Sequence, residues 1–358
     1  MKEQVKGIES YVPEEPLTQV KKRLGLKKLV RLSANENPFG TSNEVKNALL
    51  NWNFSEGNRY PDGNATQLRQ AIATKLDVQP ENLVFGVGLD EIIMLLSHIF
   101  LEKGDEVLLT KPTFSEYALH AEIEGCKVVE VPCNTETGGH SFAGMLAKIT
   151  AKTKIIWLCN PNNPTGVYEK PAAIADFVAQ VPAYVLVVID EAYIHYVTDT
   201  KAPSFLPFLD KYPNAVLMRT FSKAYGLANY RVGYAVMAAK LAAYMQAVRL
   251  PYNLNALSQT AALAALNDQK FVADSVQKTE RERKAWEKFL TAANIKHFHS
   301  QANFIFFKYP DAPGLADMLL KNGYQLRRGL AKDWLRLTIG TAADGEKIRE
   351  LIKTQKRS

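Results

Sequence analysis

Between residues 82 and 237 the chain is punctuated by short, nearly all apolar runs. They are Leu83-Val84-Phe85, Glu106-Val107-Leu108-Leu109, Lys127 to Val131, Ile155-Ile156-Trp157-Leu158, Val185 to Ile189, Val216-Leu217-Met218 and Val232 to Met237. Apolar runs without polar alternation are what strands buried on both faces require. Stretches with helical spacing separate several of them, Ile92 to Phe100 and Phe114 to Ile123 among them. Strands alternating with helices predict an α/β fold: a mostly parallel sheet covered by helices.

The flanks read differently. Residues 1–33 are mixed and polar, with Pro13 and Pro16 interrupting any early helix, and are expected to form an arm. Ser33 to Gly40 is rich in loop formers, Thr41 to Asn51 suits a short helix, and Arg59 to Gly63 is a turn before a helix over Ala65 to Leu76. Arg249 to Asn253 reads as a hinge, followed by helices over Ala256 to Leu266 and Phe271 to Ala293. Short alternating strands at Asn303 to Phe307 and Leu335 to Ile339 then appear, with helices at Gly314 to Asn322 and Gly345 to Thr354. The expected organisation is an arm (1–33), a large α/β domain (34–250) and a smaller α+β C-terminal domain (251–358) that packs with the arm.

Composition narrows the classes. With 358 residues and 47% hydrophobic content the chain can bury a large core, and 23% charged residues argue against disorder. The net charge of +7 is modest, and its clusters, such as Lys21-Lys22-Arg23, read as a solvated face rather than a nucleic-acid patch; an anionic substrate also fits it. Three cysteines, Cys126, Cys133 and Cys159, lack metal-ligand spacing and fit a reducing compartment. Residues 1–30 hold no apolar segment of signal-peptide length, and the run Ile92 to Leu101 is too short for a bilayer. The expectation is a soluble cytoplasmic protein with no membrane, nucleic-acid or metal partner.

Open α/β sheets bind ligands at the carboxyl ends of their strands. Lys223 follows such a strand, and the desolvation this brings lowers its pKa and frees the amine as a nucleophile. Thr220 and Ser222 precede it and Arg231 follows. Hydroxyls and a guanidinium around an amine suit a ligand carrying an aldehyde and a phosphate. Pyridoxal phosphate is that ligand, and its aldehyde forms a Schiff base with lysine. Taken alone, Ser222-Lys223 would read as a surface lysine, so other features must support it. Gly86-x-Gly88 leads into a helix whose first N–H groups can receive a phosphate. Glu91 stands where a dinucleotide fingerprint has its third glycine, and a plain strand-to-helix turn reads the same way. Asp190 ends the most apolar strand, where a carboxylate is costly unless paired. A pyridinium nitrogen would pair with it; a turn acid is the ordinary alternative. Tyr193 and Asn163 stand where they can hydrogen-bond a ring oxygen. Glu191 and His195 read as structural.

Together, Asn160-Pro161-Asn162-Asn163-Pro164-Thr165-Gly166, Asp190-Glu191-Ala192-Tyr193 and Ser222-Lys223 with Leu227 and Arg231 resemble the fold-type I pyridoxal-phosphate aminotransferases of class I/II. Asn35-Glu36-Asn37-Pro38, Arg59-Tyr60-Pro61-Asp62 and Leu335 to Thr341 are similar to the histidinol-phosphate aminotransferases among them. The resemblance runs from about Tyr11 to Gly340. It implies that Lys223 carries the cofactor and later shuttles a proton, that Asp190 pairs with the ring nitrogen, and that Tyr193 and Asn163 hold the ring oxygen. Phe114 would stack on the ring. Thr220, Ser222, Arg231 and the amides of Gly88 and Leu89 would hold the phosphate, with Tyr60 reaching it from the other subunit of a homodimer. Arg336 and Arg327 would take the substrate's anionic group, with Tyr11 and Asn35 in a lid. The implied substrates are histidinol phosphate and 2-oxoglutarate, the latter becoming glutamate.

The chain departs from the pattern at Leu89, where a small residue is usual, and at Asn229-Tyr230, where Gly-Leu is usual. Arg328 beside Arg327 leaves two candidates for one role. Other activities on this scaffold are an aromatic amino acid aminotransferase and a threonine-phosphate decarboxylase. A regulator without turnover is the alternative of another class; such proteins usually append a DNA-binding domain, for which residues 1–33 are too short.

Overall fold

The seven apolar runs assemble into one seven-stranded sheet in the computed structural model, which describes residues 3–8 and 14–355. Helix α1 (Leu17–Leu24) opens directly after Pro16. The proline therefore starts a helix it was expected to interrupt, because ahead of the first turn its missing N–H is not needed. Strand β1 (Val30–Leu32), α2 (Asn43–Leu50) and α3 (Thr66–Leu76) follow. The sheet region then runs β2 (Leu83–Val87), α4 (Gly88–Phe100), β3 (Glu106–Lys111), α5 (Glu116–Ile123), β4 (Lys127–Pro132), α6 (Phe142–Leu146) and β5 (Thr153–Cys159). It continues with α7 (Pro171–Val178), β6 (Leu186–Asp190), β7 (Ala215–Thr220) and β8 (Val232–Met237). The remainder is α8 (Ala239–Val248), α9 (Ala256–Asn267), α10 (Gln269–Ala292), β9 (Phe304–Lys308), α11 (Ala312–Lys321), β10 (Tyr324–Leu326), β11 (Trp334–Thr338) and α12 (Ala342–Gln355).

The sheet order is β2-β8-β7-β6-β5-β3-β4. β8 is antiparallel to both neighbours and every other pairing is parallel. The register sets Cys159 beside Asp190 and Asp190 beside Met218, so β5, β6 and β7 end close together. Every residue of β6 and β7 is buried, which explains the apolar runs Leu186 to Ile189 and Ala215 to Met218 that precede their polar ends.

Buried apolar residues form two clusters. One surrounds the large sheet and takes in Ala261, Ala265 and Leu266 of α9 and Val272 of α10. The other joins Trp286 and Leu290 of α10 to Phe307, Leu319, Leu337 and Ile348, and includes Leu32 from β1. Helix α10 thus runs from one core to the other. β1 pairs in parallel with β10, so part of the arm is a strand of the C-terminal layer. Among the described residues no helix is long and apolar enough to cross a membrane.

Candidate active site

A cavity of about 180 Å³ lies where β5, β6 and β7 end. The sheet register brings Asn163, Asp190, Thr220, Ser222 and Lys223 to it; α4 adds Leu89, and Phe114 lines the opposite side. The Lys223 Nζ donates to the carbonyl of Ala34 at 3.1 Å. Burial, helped by the nearby Arg336 guanidinium and opposed by Glu36, pulls its pKa from 10.5 to about 8. Roughly half of the amine is therefore neutral near pH 8, where an ordinary lysine is almost wholly charged.

Asp190 is buried. Its Oδ1 accepts from the Ala192 N–H at 2.9 Å and its Oδ2 from the Tyr117 hydroxyl at 2.6 Å. Among the described residues it has no ion pair, and burial pushes its pKa up to about 6 against those two hydrogen bonds. Its neighbour Glu191 is occupied by Arg219 at 2.9 Å and by Ser204 and the Phe205 N–H, and His195 sits edge-on to Tyr225 in the core.

The Tyr193 hydroxyl accepts from Asn35 Nδ2 at 3.1 Å, which leaves its own proton to donate. Burial holds that phenol well above its ordinary pKa. Asn35 is no lid residue. It is buried with φ +56°, and its carboxamide is committed to Tyr193 and Thr338 while Asn303 donates to its carbonyl. Three polar partners around a left-handed asparagine fix it in place. Tyr11 lies outside the described residues.

At the other end, Arg231 (φ +53°) turns its guanidinium toward Ser222 Oγ (3.4 Å) and Asp90 (3.0 Å). Its carbonyl accepts the Gly88 N–H at 3.0 Å, so that amide, expected to receive phosphate, is already engaged. The Leu89 N–H, one residue further into α4, belongs to a first turn whose donors have no intrahelical acceptor. Gly88 is required for a second reason: a Cβ there would lie 2.2 Å from Arg231 Nη2. The Thr220 hydroxyl accepts the Ser222 N–H at 3.0 Å and holds the loop.

Arg336 is buried, donates to Asn163 Oδ1 and to the Ser33 carbonyl, and leaves Nε unpartnered. Among the described residues no acid pairs with it, and burial pulls its pKa to about 10. Arg327 pairs with it across an antiparallel bridge, while Arg328 turns outward to Asp317 at 2.8 Å, which separates the two candidates. Tyr60 is 83% exposed, stacks on Tyr252 and stands outside this cavity. Sequence reading missed Asp90, Tyr117, Cys159, Ala192 and Ala228 as lining residues. Tyr117 left a signal in the sequence, three residues after Phe114 in a stretch whose spacing reads as helical, although α5 itself begins only at Glu116.

The donor set fits pyridoxal phosphate. A desolvated amine lines the cavity, a buried carboxylate with no cation among the described residues marks one end, and hydroxyls, a guanidinium and a helix N-terminus mark the other. The sequence profile described as aminotransferase class I and II matches residues 27–354. The histidinol-phosphate aminotransferase of Lactiplantibacillus plantarum is 52% identical over 354 residues, covering 99% of each chain. That of Limosilactobacillus fermentum is 54% identical over 353 residues, covering 98% of each. The crystal structure of histidinol-phosphate aminotransferase from Sinorhizobium meliloti in complex with pyridoxal-5'-phosphate superposes with a TM-score of 0.88 at 25% identity, covering 99% of this chain and 98% of that one. The chain belongs to the class I and II aminotransferase family, with the fold of the fold-type I pyridoxal-phosphate enzymes.

Proposed function

We propose that this protein transfers the amino group of L-histidinol phosphate to 2-oxoglutarate, giving imidazole-acetol phosphate and glutamate in histidine biosynthesis. The observation that carries this reading is Arg336, a buried arginine with an unpartnered Nε, no acid partner among the described residues and a second arginine opposite. A buried cation without an anion is costly, and a substrate phosphate or carboxylate relieves it. The identities with two histidinol-phosphate aminotransferases support the same substrate.

Bound pyridoxal phosphate supplies an aldehyde that holds the substrate amine and a ring that accepts electrons. In this reading Lys223 carries the cofactor at rest, and its freed amine removes the proton from the amine-bearing carbon of the substrate. Asp190 holds the ring nitrogen in its protonated form. Tyr193 and the Asn163 carboxamide donate to the ring oxygen, and Phe114 covers one ring face. Thr220, Ser222, Arg231 and the Leu89 amide take the phosphate. Arg336 and Arg327 bind phosphate in one half-reaction and carboxylate in the other, since a guanidinium fork suits both.

The working form in this reading is a homodimer in which Tyr60 reaches the phosphate of the other subunit. Exposed Leu50, Phe54, Tyr60, Leu250 and Tyr252 support it, since apolar surface of this kind marks association. The large domain (34–250) would hold the cofactor, and the C-terminal domain (251–358), packing with the arm, would present the arginines. Steady-state kcat/KM for histidinol phosphate, phenylalanine and threonine phosphate tests the substrate. Histidinol phosphate should lead. A higher value for phenylalanine would make this an aromatic aminotransferase, and carbon dioxide release from threonine phosphate would make it the decarboxylase.

A further inference from the structure

We propose that Tyr117 is a positioning residue for this reaction, fixing the orientation and charge of the Asp190 carboxylate through its hydroxyl. The inference rests on the role given above to Asp190. Tyr117 Oη donates to Asp190 Oδ2 at 2.6 Å, and among the described residues the other oxygen accepts only from the Ala192 N–H. The phenol is fully buried, and its ring is fixed on two sides. One face stacks on Trp157 of β5 at 4.7 Å and 7°, and Phe114 meets it edge-on at 5.6 Å. Such a ring cannot swing away, so the donated proton stays aimed at Asp190.

The hydrogen bond matters because of what else faces the carboxylate. Cys159 approaches from the end of β5, Glu191 and Tyr193 follow β6, and Asp90 lies at the start of α4. None of these is a cation, and burial with two nearby acids favours the protonated carboxyl. Tyr117 and Ala192 oppose that tendency. One proton is shared between Asp190 and the ring nitrogen of a bound cofactor. A carboxyl made more basic by loss of the phenol draws the proton to itself and weakens the ring as an electron acceptor.

The test uses holoenzyme reconstituted with cofactor carrying 15N at the ring nitrogen. Its chemical shift would be followed against pH in the wild type, Tyr117→Phe and Asp190→Asn. Tyr117→Phe should lower the pH at which the nitrogen loses its proton and reduce kcat about tenfold, the scale of one hydrogen bond to a charged group. The donor KM should stay within about twofold, because Tyr117 lies apart from the two arginines. Replacing Tyr117 by 3-fluorotyrosine, a stronger donor of the same shape, should move the pH midpoint the other way, and it decides the matter if the phenylalanine variant folds poorly. A nitrogen that responds to Asp190→Asn but not to either change at 117 would overturn the proposal. A nitrogen indifferent to Asp190→Asn as well would overturn the assignment of Asp190 and the proposal with it.

Discussion

Arg327 and Arg336 stand directly opposite each other on an antiparallel bridge and exchange both backbone hydrogen bonds, at 3.1 and 3.0 Å. Opposed residues of such a pair project to the same side of the sheet, where like charges repel. Glu14 lies 3.8 Å from Arg327, but among the described residues no acid pairs with Arg336. The pair therefore reads as a preformed double fork for an anion. A phosphate dianion gains from both arginines, and the extra contact is worth roughly 1.5–3 kcal/mol, about tenfold or more in selectivity. Arg327→Ala should lower kcat/KM for histidinol phosphate at least about tenfold more than for phenylalanine, and Arg336→Ala should damage both. Equal losses for both donors in Arg327→Ala would remove Arg327 from phosphate recognition.

Asp190 and Glu191 are adjacent, buried and opposite in character. Glu191 neutralises Arg219, so Glu191→Ala strands a buried guanidinium and should cost about 3–5 kcal/mol of stability. Among the described residues Asp190 has no cation partner. Burial raises its pKa in the folded protein from the ordinary 3.8 to about 6, so folding penalises its charged form above pH 6, by up to about 3 kcal/mol, and not below pH 4. Cofactor-free Asp190→Asn should thus melt higher than the wild type at pH 8, and not at pH 4, while kcat falls roughly a hundredfold or more. Thermal melts at the two pH values with kcat per folded subunit check both halves. A destabilised Asp190→Asn with ordinary turnover would contradict the assignment.

His299 bridges Asp199, after β6, and Glu287 on α10, at 3.0 and 3.1 Å. Chiefly the Glu287 hydrogen bond, against partial burial and with help from Asp199, raises its pKa to about 9. A raised histidine pKa contributes stability that is complete below about pH 6.5 and is lost as pH rises through 9. The side chain is 62% exposed, so solvent screening limits the contribution to about 1 kcal/mol. Urea midpoints should show His299→Gln less stable than the wild type at pH 6 and equal to it at pH 10. The same difference at both values would mean the histidine acts by packing alone.

Much of this was legible in the sequence where local pattern and burial agree. The inner strands of the large sheet announce themselves because both faces are covered, and Asp190 ends a strand while Lys223 and Asn163 follow strand ends, where any such sheet collects ligands. What escaped depends on contacts far apart in the chain. β1 and β10 are three residues each and pair across about 290 positions, so no run of apolar residues marks them. Helices α7 and α8 are short and alanine-rich, with little contrast between faces. Asn35 read as a loop residue because its burial comes from Thr338 and Asn303. The engaged amide of Gly88 follows from β2 lying antiparallel to β8, which no local motif encodes.

Tyr60 faces away from the cavity of its own chain. Arg249 donates to the Gly63 carbonyl at 2.8 Å and Gln259 to that of Asp62 at 2.9 Å, which fixes the turn while the ring faces outward. Mixing Tyr60→Phe subunits with Lys223→Ala subunits should restore activity above both parents, because one site of each heterodimer then has both residues. With exchange verified by mass and Tyr60→Phe alone strongly impaired, no recovery would put Tyr60 in its own subunit's site or outside it.

The most direct measurement is chemical. Wild-type protein loaded with pyridoxal phosphate would be reduced with borohydride, digested and mapped by mass spectrometry. The pyridoxyl group should be found on the peptide carrying Lys223, the desolvated amine beside Ala34, and Lys223→Ala should lack both the label and the visible absorbance of the bound cofactor. Label on any other lysine, or undiminished label in Lys223→Ala, would contradict the site.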